Sequence, residues 1–230
     1  MKESLELSKV VLLGRTFDEY SRYFGLDLEE LRGKKILDVA SGVSSFCSEA
    51  NALGLDVTAV DPIYDLPGEK IRACAEKDLD FVIANVGAVK AYRWAFYKNP
   101  EGVRRYREMA LRSFFPDYEK FKSARYVPAK LPHLPFKDAQ FDLTLVSYFL
   151  FAYEDHFDYE FHKKSLAEIM RVTRGEARFY PVVNFKAEDC KFIERLKCEP
   201  EFQKLQFDEV GTDFEFLANS NRYLRVFAKY

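Results

Sequence analysis

The sequence predicts an α/β fold in which a mostly parallel sheet is flanked by helices and closes with an antiparallel hairpin. Three observations support this prediction. Segments at residues 36–39, 56–61 and 143–146 have the composition of strands in a parallel sheet. Small residues follow the first segment and lead into a predicted helix, which indicates a βαβ unit. Near the end of the chain, apolar segments flank the turn-forming residues 219–221, which favours a hairpin.

The N-terminal residues 1–33 are expected to form a helical cap over an edge of the sheet. The pattern predicts one helix at residues 3–13 and a second at residues 16–24, which Gly25 ends. The apolar run at residues 10–13 is too short for a signal peptide or a membrane span. We therefore expect a cytoplasmic protein without a membrane partner.

The turn after the first strand is built from small residues. Ala40, Ser41 and Gly42 let a ligand lie against main-chain N–H groups where a helix begins, and this helix is predicted to run from Ser44 or Ser45 to residue 54. Dinucleotide-binding proteins use the pattern G-x-G-x-x-G here, and of those glycines only Gly42 is present. The turn therefore favours a nucleotide-like ligand other than a dinucleotide.

The second strand ends with a carboxylate. Asp61 closes this strand and Pro62 stops it. An acid at this position is a specific acceptor for the two hydroxyls of a ribose. A nucleoside-containing ligand is therefore expected across the ends of the first two strands.

The first turn resembles a motif of the class I S-adenosylmethionine (SAM) dependent methyltransferases. Their motif runs D-x-G-x-G-x-G, and the matching segment is Asp38-Val39-Ala40-Ser41-Gly42-Val43-Ser44. The acid and the central glycine are kept, whereas Ala40 and Ser44 replace the outer glycines, and Ser44 narrows the floor of the pocket. The resemblance implies a Rossmann-like, seven-stranded sheet with SAM lying across the carboxyl ends of the first, second and fourth strands.

A second segment is similar to the same family. Leu134-Pro135-Phe136 followed by Phe141-Asp142-Leu143 looks like the methyltransferase sequence in which an adenine-contacting turn precedes the fourth strand. Lys130 stands where relatives commonly place an Asp, and lysine donates hydrogen bonds but accepts none. Adenine recognition would then depend on backbone groups and on Leu131. Within the family, the chain looks most like uncharacterised bacterial methyltransferase-like proteins.

The remaining cofactor residues are assigned from this resemblance. Asp38, Ala40, Ser41 and Gly42 would shape the methionine side, and Asp61 with Pro62 would lie at the ribose. Lys130, Leu131 and Ser147 would border adenine and methionine. Arg15 matches the planar methionine carboxylate, although it is also interpretable as a surface residue of the cap helix. Tyr148 and His156 are weak catalytic candidates, and no residue has a firm catalytic role.

Residues 62–124 are predicted to be a helical insertion that forms a lid. Residues 99–101 have the pattern of a helix start, with Asn99 as the cap and Pro100 in the first turn. Aromatic residues alternate here with arginines. This pattern suits either a nucleic-acid surface or an amphipathic helix with a core stripe and a solvated face, and we favour the second interpretation.

The second half is expected to complete the sheet. Asp158 is predicted to cap a helix that runs to residue 173, with Gly175 as its stop. The other predicted elements are a short strand at residues 125–129, a strand at 177–183, a helix at 188–196, and strands at 205–210, 214–217 and 223–228.

Composition limits the classes of function. The 230 residues, 48% of them hydrophobic, are expected to form one domain over residues 1–230. A formal net charge of −2 disfavours general polyanion binding. The four cysteines show neither a C-x-x-C pair nor a histidine at ligand spacing, so no metal site is expected.

The predicted function is transfer of a methyl group from SAM to a small-molecule acceptor. An RNA or protein methyltransferase would explain the basic insertion, and a SAM-binding protein without transferase activity would explain the missing glycines. A nicotinamide-dependent oxidoreductase is the least favoured class, because its fold lacks the closing hairpin. The acceptor and the oligomeric state cannot be read from the residues.

Overall fold

The computed structural model describes residue 5 and residues 7–229, which form one seven-stranded sheet. The strand order is β3-β2-β1-β4-β5-β7-β6. Its strands are β1 (Lys35–Val39), β2 (Asp56–Val60), β3 (Tyr126–Val127), β4 (Phe141–Ser147), β5 (Thr173–Tyr180), β6 (Leu205–Gly211) and β7 (Arg222–Ala228). Parallel pairing joins β3 through β5, whereas β7 is antiparallel to both β5 and β6. The predicted fold, including the closing hairpin, is confirmed.

Seven helices accompany the sheet in the part of the chain that the structure describes. They are α1 (Phe17–Phe24), α2 (Leu28–Leu31), α3 (Phe46–Ala52), α4 (Gly68–Val86), α5 (Pro100–Arg125), α6 (Tyr159–Val172) and α7 (Ile193–Lys197). A short 3-10 helix, Pro62–Asp65, follows β2. The region predicted as a helical insertion contains α4 and most of α5, and its role as a lid stays a prediction.

Local sequence explains where the main helices begin. The Thr16 side chain accepts a hydrogen bond from the Glu19 N–H, Glu19 bonds back to Thr16, and Gly25 ends α1 in the left-handed conformation. Asn99 caps α5 by accepting from the Gly102 N–H. Asp158 caps α6 in the same way. These starting points agree with the sequence predictions.

The predicted helix at residues 3–13 is wrong for residues 7–13, which have no regular secondary structure. Side chains from distant elements hold this backbone: the Val11 N–H donates to the Tyr153 hydroxyl and the Leu12 N–H donates to Asp78. These tertiary hydrogen bonds replace those of a helix. Residues 3, 4 and 6 lie outside the described residues.

Two other predictions in the second half fail. Residues 214–217 do not form a strand of the sheet. They contact the loop at residues 91–93 instead, through one isolated bridge and a hydrogen bond from the Arg93 N–H to the Phe216 carbonyl. Gly175 does not stop α6; the helix ends at Val172, and Thr173 already starts β5. At Gly175 a Cβ would lie 2.1 Å from the Asp142 carbonyl oxygen, so close strand packing explains this glycine.

Several other elements differ from their predictions only in extent. The helix after β1 is α3, which is shorter than the predicted 44–54 segment. The predicted strands at 125–129 and 177–183 correspond to β3 and β5, and the helix at 188–196 to α7.

A buried ion pair joins α1 to α5. Arg107 Nη2 lies 2.6 Å from Glu19 Oε1, and both side chains are almost inaccessible to solvent. Arg107 also donates to the Gly14 carbonyl at 2.5 Å, and the hydroxyls of Tyr23 and Tyr97 donate to Glu19. Burial alone would raise the pKa of Glu19, but Arg107 and these hydrogen bonds hold it below its ordinary value, so the carboxylate is ionised.

Replacing Arg107 with leucine is expected to lower the free energy of unfolding by about 3–5 kcal/mol, because Glu19 would be left as an uncompensated buried charge. Urea denaturation at neutral pH measures this loss. Arg105→Leu, at an exposed position of α5, is the matched control and should change stability by less than about 0.5 kcal/mol. Adding Glu19→Gln to Arg107→Leu should restore part of the loss. Equal stability of the Arg107 and Arg105 variants would contradict the importance of the pair.

Candidate cofactor site at the carboxyl edge of the sheet

A cavity of about 640 Å³ opens where β1, β2 and β4 end, which is within the usual range of roughly 300–1,000 Å³ for small-molecule sites. Its main lining segments are the turn after β1, the residues after β2, the loop before β4 together with the residues after it, and the N-terminal residues 9–13 and 15. Cys74 of α4 and two phenylalanines near the start of α6, Phe157 and Phe161, also line it. Ligands of open α/β sheets bind at this edge. Of the predicted cofactor residues it brings together Arg15, Ala40, Ser41, Gly42, Asp61, Pro62, Lys130, Leu131 and Ser147.

The turn after β1 leaves its backbone open toward the cavity. Ala40 and Gly42 both have positive φ, of 54° and 56°. Positive φ at a non-glycine residue is strained and is frequent at functional sites. A Cβ placed on Gly42 would meet only Leu12 Cδ2, at 3.8 Å, so the space beside this glycine belongs to the cavity. The turn therefore has the close backbone approach that the sequence predicted.

Asp61 is held at the end of β2 by backbone donors. Its two carboxylate oxygens accept hydrogen bonds from the N–H groups of Gly42 and Ile63, each at 3.0 Å. Burial raises the pKa of Asp61 to about 6, although these two hydrogen bonds act in the opposite direction. Each oxygen keeps a free lone pair, so Asp61 still has acceptor capacity for hydroxyl groups of a ligand.

Asp38 lies beneath the turn and does not line the cavity. It accepts hydrogen bonds from the Ser41 hydroxyl at 2.6 Å and from the Tyr20 hydroxyl at 3.0 Å. Burial raises the pKa of Asp38 to about 7. In the structure Asp38 therefore supports the turn. The sequence analysis instead predicts that Asp38 shapes the methionine side of the cofactor site directly.

Arg15 precedes α1 and forms part of the cavity wall. Its guanidinium carbon lies 3.9 Å from the centre of the Tyr148 ring, and Nη1 donates to the Leu13 carbonyl at 2.8 Å. The buried Nε has no hydrogen-bond partner among the described residues, and no acidic side chain there pairs with Arg15. Arg15 is therefore a half-buried residue before α1 at the cavity wall, not a surface residue on the cap helix, and it brings a positive charge to the cavity.

Two more unpaired polar groups belong to residues at the end of β4 that line the cavity. Ser147 Oγ and the Tyr148 hydroxyl are buried without a hydrogen-bond partner among the described residues, and both residues line the cavity. Tyr148 also has a positive φ of 49°. Because buried polar groups are normally paired, unpaired polar atoms in three residues that line the cavity favour a polar ligand for this site.

Lys130 and Leu131 lie in the loop between β3 and β4. Lys130 is exposed, and its backbone pairs with that of His133. Leu131 is buried at the cavity wall, as expected for an apolar contact. Cys74 of α4 also lines the cavity, and no sequence motif pointed to it.

A segment that sequence reasoning missed covers the cavity. We call residues 7–13 the strap. Lys9 Nζ lies 2.7 Å from Asp78 Oδ1, and the Leu12 N–H donates to Asp78 Oδ2 at 2.9 Å. The strap residues 9–13 all line the cavity. The apolar run at residues 10–13 was the available signal, and it was interpreted as part of a helix.

The structure does not bring His156 into this cavity. Its Nε2 lies 2.8 Å from the Leu7 carbonyl oxygen, at the outer end of the strap, where it lines a smaller cavity. His133 and His162 do not line the cofactor cavity either. Among the described residues no group of three or more metal-ligating side chains is arranged to hold a metal ion. The helices of the described part of the chain include none with the length and hydrophobicity of a membrane span.

Comparison with known proteins places the fold and the family. The architecture is the Rossmann-like fold of class I methyltransferases. Among solved structures, the N-methyltransferase NodS from Bradyrhizobium japonicum is similar over 93% of this chain and 96% of its own, with a TM-score of 0.50 and 9% identity. A TehB-like SAM-dependent methyltransferase from Corynebacterium glutamicum is similar over 93% and 98%, with a TM-score of 0.47 and 17% identity.

The chain belongs to the family of the uncharacterized protein MJ0045 of Methanocaldococcus jannaschii. The two are 37% identical over 224 residues, which cover 96% of this chain and 98% of the relative. No protein-family model matches the chain. Since this relative is archaeal, the similarity to bacterial methyltransferase-like proteins stays a prediction.

The stability of the wild type relative to Asp61→Asn should fall as the pH rises from 4 to 7. Between 3.8, the ordinary pKa, and about 6, the pKa of Asp61 in the fold, the folded protein keeps a proton that the unfolded chain releases, so stability falls with rising pH. The difference in unfolding free energy between the two proteins should change by about 2 kcal/mol from pH 4 to pH 7. Urea titrations across this range measure it.

Asp56→Asn is the control, because it removes a carboxylate at the exposed start of the same strand. A difference between wild type and Asp61→Asn that does not vary with pH would contradict the burial effect.

Asp78→Ala should make the strap more mobile, because it removes the two contacts that Asp78 makes with it, the ion pair with Lys9 and the hydrogen bond from the Leu12 N–H. A charged hydrogen bond contributes roughly 1.5–3 kcal/mol, so backbone amides of the strap should exchange about tenfold faster or more. Hydrogen exchange read by mass spectrometry measures this. Asp80→Ala, which removes an exposed carboxylate that pairs with Arg104, is the control. Unchanged protection of the strap in Asp78→Ala would show that its other contacts hold it.

Proposed function

We propose that this chain is a SAM-dependent methyltransferase that acts on a small-molecule acceptor. The observation that carries the proposal is the meeting, in one cavity, of the open turn at Gly42, the carboxylate of Asp61 and the guanidinium of Arg15. Each of these elements suits one part of SAM. The turn at Gly42 suits the flexible methionine chain, Asp61 suits the ribose hydroxyls, and Arg15 suits the methionine carboxylate. NodS, which shares the fold, is an N-methyltransferase by name.

The residues present fit the cofactor. Arg15 brings a positive charge to the cavity for the methionine carboxylate, and Ser147 lines the same cavity. Asp61 keeps acceptor capacity for the ribose hydroxyls. Ile63 and Leu131 provide apolar surface next to Asp61 and Lys130, where an adenine ring would lie. Lys130 is able to donate a hydrogen bond to a ring nitrogen.

SAM, when bound, supplies a methyl group on a positively charged sulfur, which a nucleophile displaces in line. The protein then has to position the two reactants and exclude water. The strap residues 9–13 line the cavity, and Tyr148 lies with its ring against Arg15, so these parts would help to position the reactants. Burial raises the pKa of Tyr148, which keeps its phenol neutral, and we assign it no proton transfer.

Two structural features favour a small acceptor over a macromolecule. The strap residues 9–13 line the cavity together with the cofactor residues and so narrow the space beside them. Several arginines of residues 62–124 are engaged in structural contacts: Arg107 with Glu19, Arg104 with Asp80, and Arg72 against the Phe115 ring. The amphipathic interpretation of this region therefore has more support than the nucleic-acid interpretation.

Calorimetric titration with SAM and S-adenosylhomocysteine tests the proposal. Micromolar binding to the wild type that is lost in Asp61→Ala would support the cofactor site and justify a screen of acceptors. Absence of binding by the folded wild type would overturn the proposal. Binding of SAM without transfer to any acceptor class would favour the alternative of a non-catalytic SAM-binding protein.

Arg15→Gln should weaken SAM binding by about 10- to 100-fold, since a charged hydrogen bond to the methionine carboxylate would be lost, at roughly 1.5–3 kcal/mol. Methylthioadenosine is the matched ligand, because it contains the adenosine and the sulfur but no carboxylate. Its affinity should be the same in wild type and variant, as measured by calorimetry. Equal weakening of both ligands would instead mean that Arg15 only maintains the shape of the cavity.

A further inference from the structure

The cavity continues beyond the cofactor residues to a wall of three phenylalanines, and we propose that this part binds a small, neutral and flat apolar acceptor. The inference rests on the proposed function, because it assigns the turn after β1, Asp61 and Arg15 to the cofactor. The three residues, Phe149, Phe157 and Phe161, come from the end of β4, from the loop before α6 and from its first turn. None of them belongs to a methyltransferase motif of the sequence.

The rings form one continuous apolar surface. Phe157 and Phe161 are stacked, with ring centres 4.3 Å apart and an angle of 18° between their planes. Phe149 lies 5.4 Å from Phe157 and 6.4 Å from Phe161. All three side chains are partly exposed, and all three line the cavity. Aromatic faces left open in a cavity have their best partner in another flat ring, which stacks or packs edge to face.

The charged side chains that line the cavity either have hydrogen-bond or ion-pair partners or lie beside the position proposed for the cofactor. Lys9 is paired with Asp78, and Asp61 accepts two backbone N–H groups. Arg15 and Lys130 lie beside the predicted methionine and adenine positions. An acceptor with a phosphate would therefore have to be desolvated against phenylalanine without a partner, which is costly. A neutral apolar molecule meets no such penalty.

The position of the wall suits methyl transfer. Phe149 directly follows Tyr148, and the Arg15 guanidinium lies 3.9 Å from the centre of the Tyr148 ring. The wall thus begins next to the methionine end of the proposed cofactor, where the reactive methyl group would be. The strap residues Val10 and Leu13 line the same cavity with apolar side chains. An acceptor bound there would be enclosed by apolar groups while its nucleophile faces the cofactor.

Binding of 2-naphthol to the protein saturated with S-adenosylhomocysteine tests the inference. We expect the wild-type complex to bind this neutral, flat probe, and we expect Phe157→Ala and Phe161→Ala to weaken its binding at least fivefold. Phe157→Leu keeps apolar volume without a ring and should lie between wild type and Phe157→Ala. Phe185→Ala is the matched control, since Phe185 is a half-buried phenylalanine that packs on Tyr153 outside this cavity. Naphthyl phosphate should bind at least tenfold more weakly than 2-naphthol.

The outcomes separate this inference from the proposed function. If S-adenosylhomocysteine binds equally to all variants but 2-naphthol does not bind, binds all variants alike or displaces S-adenosylhomocysteine, the acceptor assignment is overturned and the cofactor site stands. Tighter binding of naphthyl phosphate than of 2-naphthol would also overturn it, in favour of an anionic acceptor. If the wild type binds no S-adenosylhomocysteine, the proposed function fails, and this inference fails with it.

Discussion

The buried pair of Glu19 and Arg107 is the interaction on which the site most depends. Two charges removed from water are stable only when each satisfies the other and the remaining hydrogen-bonding atoms also have partners. Arg107 meets this condition by bonding the Gly14 carbonyl as well, and Glu19 by accepting from Thr16 and two tyrosines. The pair therefore fixes the chain on both sides of Arg15, and it attaches this segment to α5.

The cavity is assembled around that fixed segment. The Arg15 carbonyl accepts from the Ser45 N–H at 2.9 Å, and the Arg15 N–H donates to Ser44 Oγ at 3.2 Å. The serine that replaces a glycine of the methyltransferase motif thus has a structural use, because it binds the N-terminal segment to the turn after β1. Two buried carboxyls, Asp38 and Asp61, then hold this turn from below and from the side. The buried pair of Glu19 and Arg107 thus positions the cavity wall at Arg15, and the buried carboxyls of Asp38 and Asp61 position the turn after β1.

The sequence predicted the fold well because its signals are local. Apolar strand segments, a capping box at Thr16 and the residues around Asn99 and Asp158 act within a few positions of the chain, so their effects are readable without a structure. The errors have non-local causes. Residues 7–13 are drawn out of a helix by Asp78 and Tyr153, and residues 214–217 pair with a loop instead of a strand. Gly175 was interpreted as a helix stop although it serves strand packing.

By itself the sequence determined most of the strands and helices, the turn at Gly42 and the acid at the end of β2, because each follows from residue type and spacing; Lys130 and Leu131 were candidates only through the family resemblance. Only the tertiary structure decided that Arg15 lies against the Tyr148 ring, that Asp38 supports the turn without lining the cavity, and that His156 is outside the cavity. It also decided that the strap and three phenylalanines complete the wall. These features depend on which distant side chains neutralise one another and which remain open, and no local pattern contains that information.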